Sequence, residues 1–204
     1  MLRNFAYDGG RFGLNHVALS TEISYALRHA PGEYGLTLDE QGWVAVEDLL
    51  AALRKQKVYT FITDADIADM IATSQKKRHE MVDGRIRALY GHSTGQKIEK
   101  EAATPPDVLY HGTAHRFLNS IQVQGLISKD RQYVHLSEDR QTAQDVGRRR
   151  DDSPVILTID AAAACKDGIR FYMGNDMVWL ADSIPVQYIC FPSSCSMNQS
   201  CDKE

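Results

Sequence analysis

The hydrophobic pattern of the chain changes near residue 100, so its two halves must fold differently. Before that point, apolar residues recur at helical spacing in "STEISYALRHAP", "VAVEDLLAALRK" and "TDADIADMIATS". After it, strand-like runs dominate, among them "VLYHG", "QYVHLS", "PVILTID", "GIRFYM", "MVWLA" and "VQYICF". The segment between them, "GHSTGQKIEKEAATPPD", has no periodicity and ends in two prolines. The pattern therefore predicts an α+β protein with two lobes, residues 1–100 and 101–192.

A tight hairpin is expected near the end of the first lobe. Two short strand-like runs in "RHEMVDGRIRALY" flank Asp83-Gly84, a dipeptide favoured in type I′ turns. Thr63 and Asp66 have the spacing of a capping box and place the start of the third helix. Three helices followed by a hairpin are typical of a winged-helix lobe, an architecture common among nucleic-acid-binding proteins, although a fold alone does not establish function.

Proline, glycine and N-cap residues predict where other helices begin and end. Pro31 is expected to stop the first helix after Ala30. In the second lobe, the helix in "RFLNSIQVQG" is expected to close at Gly125. The helix in "SEDRQTAQDVG" is expected to open at Ser137 and close at Gly147.

The charge balance narrows the class of partner. The 204 residues carry a net charge of −4, whereas domains that bind polyanions over a broad surface are commonly basic. Contact with nucleic acid must therefore be local. Positive charge is clustered in "KKRHEMVDGRIR" and "VGRRR", and either cluster can also be a solvated face.

The cysteine spacing and the lengths of the apolar segments indicate the cellular environment of the protein. The chain has four cysteines and no C-x-x-C spacing, so we expect no metal site and free thiols in a reducing cytosol. The cysteines are Cys165, Cys190, Cys195 and Cys201. We expect residues 193–204 to form a flexible tail. No window approaches the length of about 18 apolar residues that a membrane span needs, so we expect a cytoplasmic protein without membrane contact, and a monomer.

Arg28 and His29 are adjacent at the end of the first predicted helix, in "SYALRHAPGEYGL". Cations at a helix C-terminus gain about 0.3–1 kcal/mol from the dipole, so capping alone can explain them. Adjacent helical residues point about 100° apart, however, so packing does not by itself select two such side chains. The alternative is that the pair holds one anion.

Three arginines belong to the predicted hairpin. Arg85 and Arg87 are two residues apart and project from one face, and Arg78 can approach from the partner strand. Guanidinium groups so close together repel each other unless an anion joins them, and arginine suits bidentate phosphate binding. A solvated hairpin face is the alternative interpretation.

Two strand ends in the second lobe carry histidines. "LYHGT" places His111 and Gly112 after a strand, where glycine lets a ligand approach the backbone closely. "YVHLS" supplies His135, with Ser137 next on the same face. Isolated histidines at strand ends are also common as surface or core residues. The chain has no Walker, G-x-G-x-x-G or G-x-S-x-G motif, so standard nucleotide-hydrolysing, Rossmann and serine-hydrolase functions lack support.

Seven blocks in order resemble the RNA 2′-phosphotransferase family of KptA type. They are "SYALRHAPGEYGLTLDEQGWVAVEDLL", "KKRHEMVDGRIRALYGHS", "PPDVLYHGT", "RQYVHLS", "VGRRR", "PVILTID" and "NDMVWLADSIPVQYI". The resemblance covers roughly residues 19–191. The resemblance implies an N-terminal winged-helix lobe that binds RNA and a C-terminal lobe of the ADP-ribosyltransferase fold that binds NAD.

The resemblance also implies a reaction in two steps with NAD consumed as co-substrate. An internal 2′-phosphate of a tRNA-like RNA attacks the ribose carbon that bears nicotinamide, which leaves, and the RNA phosphate becomes ADP-ribosylated. The neighbouring 2″-hydroxyl then attacks the phosphorus. The products are RNA with a free 2′-hydroxyl and ADP-ribose 1″,2″-cyclic phosphate.

The matching motifs assign roles to residues of this chain. The implied catalytic residues are Arg28, His29, Arg78 and Arg149. Arg148 is an alternative to Arg149, because the chain reads "VGRRR" where the family pattern is V-G-x-R-H-G. His79 stands where phenylalanine is usual. We hypothesise that His29 helps to protonate the leaving 2′-oxygen while the arginines bind and activate phosphate.

Further motifs imply the contacts to both substrates. The residues implied for the RNA phosphate are Arg28, His29, Arg78, Gly91, His92 and Ser93. The residues implied for NAD are His111, Gly112, Thr113, His135, Ser137 and Arg149. Tyr90 stands where the family has glutamine. Two other functions stay open, namely ADP-ribosylation of another acceptor such as a nucleic-acid terminal phosphate or a protein, and a winged-helix binding module without catalysis.

Overall fold

The structure, a computed structural model, describes residues 14–192. The chain divides between Glu99 and Lys100 into two compact units. Each unit mixes helices with antiparallel sheet, so the predicted α+β class is confirmed. No helix between residues 14 and 192 is both long and apolar enough to cross a membrane. The predicted tail, with Cys195 and Cys201, lies outside the described residues.

The first unit packs its helices against one face of a small antiparallel sheet. Its described elements are α1 (His16–Arg28), β1 (Trp43–Ala45), α2 (Val46–Leu53), α3 (Asp64–Thr73), β2 (His79–Val82) and β3 (Arg85–Ala88). The sheet order is β1-β3-β2. Along β3, Ile86 and Ala88 are buried in the core while Arg85 and Arg87 lie on the other face.

Local signals placed most elements of this unit correctly. The predicted apolar face of α2 is buried, and it consists of Val46, Leu49, Leu50 and Leu53. Thr63 and Asp66 form the capping box of α3. Asp83 and Gly84, with φ of 48° and 71°, form the hairpin turn.

The end of α1 differs from the prediction by two residues. The helix ends at Arg28, and Ala30 has non-helical φ and ψ of −140° and 49°. Pro31 instead begins a short 3-10 turn, Pro31–Tyr34. The residue before a proline is disfavoured in helical geometry, so the break falls ahead of Ala30. Arg28 and His29 therefore occupy the last helical position and the C-cap.

The second unit is built on a six-stranded antiparallel sheet with the order β11-β7-β4-β6-β9-β8. Its described strands are β4 (Val108–Thr113), β5 (Leu126–Ile127), β6 (Val134–Ser137), β7 (Val155–Asp160), β8 (Phe171–Asn175), β9 (Val178–Ala181), β10 (Ser183–Ile184) and β11 (Ile189–Cys190). Its described helices are α4 (Leu118–Gln124), α5 (Arg140–Gly147) and α6 (Ala161–Lys166). β5 pairs with β10 outside the main sheet.

Two predictions about helix ends in this unit have different outcomes. Gly125 caps α4 at a φ of 72°, as expected. The expected start of α5 at Ser137 is wrong, because Ser137 is the last residue of β6 and pairs with Tyr110. Asp139 caps α5 instead, where its side chain accepts a hydrogen bond from the Thr142 N–H at 2.8 Å.

Candidate functional site

Arg28 is held in a fixed position at the end of α1. Its side chain is 9% exposed, and its Nη2 donates a hydrogen bond to the Arg78 carbonyl at 3.1 Å. The guanidinium carbon lies 5.0 Å from the centre of the Tyr90 ring, within the range of a cation–π contact. The structure thus brings Arg28, Arg78 and Tyr90 together from three separate segments.

His29 is positioned by the loop that follows the hairpin. The Ser93 N–H donates to the Arg28 carbonyl at 2.9 Å and so satisfies one of the terminal carbonyls of α1. The Ser93 hydroxyl shares a hydrogen bond of 2.8 Å with Nδ1 of His29. One serine therefore caps the helix and orients the histidine.

The glycine and histidine of this loop have structural roles of their own. Gly91 has a φ of 88°, a conformation that side chains rarely adopt, and a Cβ added there would lie 3.5 Å from Nη1 of Arg28. His92 is 3% exposed, and its Nε2 lies beside Gly42. The loop therefore lies close against the Arg28 side chain at Gly91, while the His92 side chain is buried within the first unit.

The hypothesis that one anion joins all three hairpin arginines is wrong for Arg85 and Arg87. Arg85 pairs with Asp39 at 2.6 Å and Arg87 with Glu80 at 2.7 Å. Both guanidinium groups also lie over the Trp43 ring, at 5.8 Å and 4.3 Å. Their charge is balanced within the unit, so Arg78 is the hairpin arginine associated with Arg28.

A buried histidine lies beside the two arginines. His79 is 4% exposed, and its Nε2 is 3.0 Å from the Ser24 hydroxyl on α1. Burial, with smaller contributions from the charges of Arg28 and Arg78, lowers the pKa of His79 from 6.5 to about 3. The imidazole is therefore neutral near neutral pH.

The depressed pKa of His79 predicts an acid-dependent loss of stability. The unfolded chain binds a proton at this residue near pH 6.5, whereas the folded protein binds it only near pH 3. As the pH falls between those values, the free energy of unfolding should fall by up to about 1.4 kcal/mol per unit through this group. Above pH 6.5 the imidazole is neutral in both states and has no effect.

Urea unfolding of the wild type and of His79→Phe, at about pH 7 and about pH 5, measures this linkage. We expect the wild type to lose more stability than the variant on acidification. A stability difference between the two proteins that is the same at both pH values would contradict the linkage.

The second unit fixes one histidine through the backbone of a neighbouring strand. His111 Nδ1 donates to the His135 carbonyl at 2.9 Å, which joins β4 to β6. Burial lowers the pKa of His111, and the bond to His135 partly opposes that shift. A neutral ring that donates through Nδ1 keeps Nε2 as an acceptor. Thr113 and Ser137, both 6% exposed, lie on the same two strands.

Gly112 has a packing role that the sequence did not indicate. A Cβ added there would lie 1.9 Å from the Ala143 carbonyl oxygen of α5. Gly147 is restricted as well, since its added Cβ would lie 2.6 Å from the Pro154 side chain. The two glycines let α5 lie directly against the backbone of β4.

The arginines after α5 are not equivalent. Arg148 pairs with Asp145 at 3.5 Å. Arg149 is exposed, and its side chain makes no hydrogen bond or ion pair with any residue between 14 and 192. Asp151 accepts hydrogen bonds of 3.1 Å from the His115 N–H and from its Nδ1, which holds the segment just after Arg149 in place.

Sequence reasoning missed several residues of these clusters. Ser24 gave no signal beyond its place one turn before Arg28, and the Tyr90 contact depends on how the loop folds back. Over residues 14–192, no group of three or more histidine, cysteine or acidic side chains is arranged to hold a metal ion.

Comparison with known proteins gives one consistent result. The RNA 2′-phosphotransferase, Tpt1 / KptA family matches residues 15–183. A protein of Acetivibrio thermocellus named probable RNA 2′-phosphotransferase is 53% identical over 87% of this chain and 98% of its own length. Proteins with the same name from Bacillus thuringiensis and Pectobacterium atrosepticum are 54% and 47% identical, each over 84% of this chain, and over 92% and 95% of their own lengths.

Proposed function

Since the chain belongs to the RNA 2′-phosphotransferase, Tpt1 / KptA family, we propose that it removes an internal 2′-phosphate from RNA, of the tRNA splice-junction type, and consumes NAD. The observation that carries the proposal is the cluster at the end of α1. There, Arg28 donates a hydrogen bond to the Arg78 carbonyl and His29 contacts the Ser93 hydroxyl, so basic residues at the end of α1 meet the start of the hairpin. Such a cluster suits a bound phosphate.

In the first step, an oxygen of the RNA 2′-phosphate attacks the ribose carbon that bears nicotinamide. The carbon–nitrogen bond breaks, and nicotinamide leaves with the bonding electrons. The phosphate is already anionic, so this step needs a positioned nucleophile rather than a strong base. Arg28 and Arg78 would supply that positioning.

In the second step, the ribose 2″-hydroxyl attacks the phosphorus and releases its proton to solvent, while the bond to the RNA 2′-oxygen breaks. Charge develops on the phosphate oxygens and on the leaving oxygen, where preorganised guanidinium groups stabilise it. His29, in its protonated form, would donate the proton that makes the RNA 2′-hydroxyl. Its Nδ1 contact with Ser93 keeps the ring in one orientation for that transfer.

The proposal gives each unit one substrate. The first unit, with three helices and a hairpin in the described part, would be the winged-helix RNA lobe. Gly91 and Ser93 would line its phosphate site, and buried His92 would support the loop between them. The second unit would be the ADP-ribosyltransferase-like lobe that binds NAD. Neutral His111, with Nε2 as acceptor, suits a ribose hydroxyl, and Thr113, His135 and Ser137 lie on the same two strands.

Product analysis tests the proposal. An RNA oligonucleotide with one internal 2′-phosphate is incubated with the protein, with and without NAD, and the masses of the products are measured by mass spectrometry. We expect RNA lighter by one phosphate, together with nicotinamide, only when NAD is present. Dephosphorylation without NAD would contradict the co-substrate, and a stable ADP-ribosylated RNA would indicate transfer to an acceptor instead.

The arginine after α5 gives a second test. We expect Arg149→Ala to slow the overall reaction at least about tenfold, which corresponds to about 1.4 kcal/mol of transition-state stabilisation. Arg148→Ala is the matched control and should change the rate less than about twofold, because Arg148 is exposed and paired with Asp145. Single-turnover rates of both variants measure the difference. The reverse order of effects would assign the role to Arg148.

A further inference from the structure

A second link joins α1 to the start of β2, beside the link that Arg28 makes. Ser24 lies one helical turn before Arg28, so both residues lie on the same side of α1. The Ser24 hydroxyl contacts His79 at 3.0 Å, while Nη2 of Arg28 contacts the carbonyl of Arg78 at 3.1 Å. Two adjacent residues at the start of the hairpin, Arg78 and His79, are thus tied to two positions of one helix.

The backbone at Arg78 needs such a link because it lies outside the paired strand. β2 begins at His79, which pairs with Ala88, and Arg78 is the residue before it. Its carbonyl accepts from the Leu89 N–H as well as from Arg28. The His79 side chain, bonded to Ser24 on α1, anchors the next residue of the same backbone.

Stability alone does not explain a hydrogen bond between buried His79 and half-buried Ser24 at this place. Replacing both partners of a buried hydrogen bond by apolar groups of similar shape is often nearly neutral for stability. What such a pair supplies is a defined geometry, since only one arrangement satisfies both groups.

We propose that His79, held by Ser24, is a positioning residue that sets Arg78 and Arg28 at the spacing needed to bind the RNA 2′-phosphate. This inference rests on the proposed function. The imidazole contacts no substrate and acts through the two arginines. Its neutral state near neutral pH lets it lie beside both guanidinium groups without adding a third positive charge.

The affinity for RNA tests the role without relying on NAD chemistry. The dissociation constant is measured for one oligonucleotide with an internal 2′-phosphate and for the same oligonucleotide without it, and the ratio reports the phosphate contact alone. We expect Ser24→Ala to reduce this ratio about fivefold, the effect of losing one positioning hydrogen bond of about 1 kcal/mol. A merely structural role would weaken binding of both oligonucleotides and leave the ratio unchanged.

Two matched variants on α1 control the experiment. Thr21→Ala removes a hydroxyl that donates to the Val17 carbonyl within α1, at 2.8 Å, and should leave the ratio as in the wild type. Ser24→Thr keeps the hydroxyl, so its ratio of dissociation constants should stay close to that of the wild type. His79→Gln should behave in the same way, because its amide can reach the Ser24 hydroxyl.

Each outcome bears on one claim. An unchanged ratio in Ser24→Ala, or an equal loss in Ser24→Thr, would overturn the positioning role while leaving the proposed function intact. A wild type that binds both oligonucleotides equally well would refute the phosphate site and with it the proposed function. Thermal unfolding of each variant confirms that the protein compared is folded.

Discussion

Substitution of Arg28 by lysine is expected to slow removal of the 2′-phosphate by a factor of about 10²–10³, the range for loss of one preorganised group that stabilises developing charge. Arg28 uses one Nη2 hydrogen to hold the Arg78 carbonyl and stacks near Tyr90. Lysine keeps the charge but lacks the planar fork, so it cannot make the carbonyl contact and bind phosphate through two atoms together. Single-turnover kinetics with saturating NAD measure the effect.

Arg87→Lys is the matched control, because it makes the same change in the same unit. Arg87 pairs with Glu80 and lies over Trp43. We expect its rate to stay within about twofold of the wild type, since partly exposed ion pairs contribute little. Equal rates for Arg28→Lys and Arg87→Lys would refute the role of Arg28 in binding phosphate.

Substitution of Gly112 by alanine is expected to destabilise the second unit by at least about 3 kcal/mol. The added Cβ would lie 1.9 Å from the Ala143 carbonyl oxygen, and neither backbone can move unless α5 separates from β4. For a unit of roughly 100 residues this corresponds to a fall in melting temperature of at least about 10 °C. Thermal unfolding followed by circular dichroism measures it.

The same variant separates two interpretations of Gly112. If glycine is needed there only so that a ligand can approach the backbone, Gly112→Ala will fold as stably as the wild type and bind NAD weakly. If it is needed for packing, the melting temperature falls without ligand. Gly95→Ala is the control, because an added Cβ there meets nothing within 4 Å.

The parts of the fold that sequence predicts well are those set by neighbouring residues. The capping box at Thr63, the turn at Asp83-Gly84 and the buried face of α2 each depend on residues within one or two helical turns. The short strands β1, β5 and β10 gave no comparable signal. Each has two or three residues, and its existence depends on a pairing partner far away in the chain.

In the candidate site, too, features set by neighbouring residues could be predicted and contacts between distant residues could not. The position of Arg28 and His29 at a helix end follows from Pro31, although the break falls two residues earlier than expected. The neutralisation of Arg85 by Asp39 does not follow, because those residues are 46 positions apart and meet only through folding. Proximity in space, which the pattern of one sequence does not contain, decides which arginines remain available to an anion.

The link between His79 and Ser24 was beyond sequence reasoning for the same reason. The two residues are 55 positions apart, and a histidine in a strand-like run is compatible with exposure as well as with burial. The structure alone shows that the imidazole is buried beside two arginines.

The destination of the phosphorus atom distinguishes transfer to NAD-derived ribose from simple hydrolysis of the 2′-phosphate. An RNA whose internal 2′-phosphate carries 32P is incubated with the protein and NAD, and the labelled product is separated. The proposed function predicts that the label leaves the RNA on ADP-ribose as the 1″,2″-cyclic phosphate, in amounts equal to the nicotinamide released. Label recovered as inorganic phosphate, with NAD intact, would contradict it.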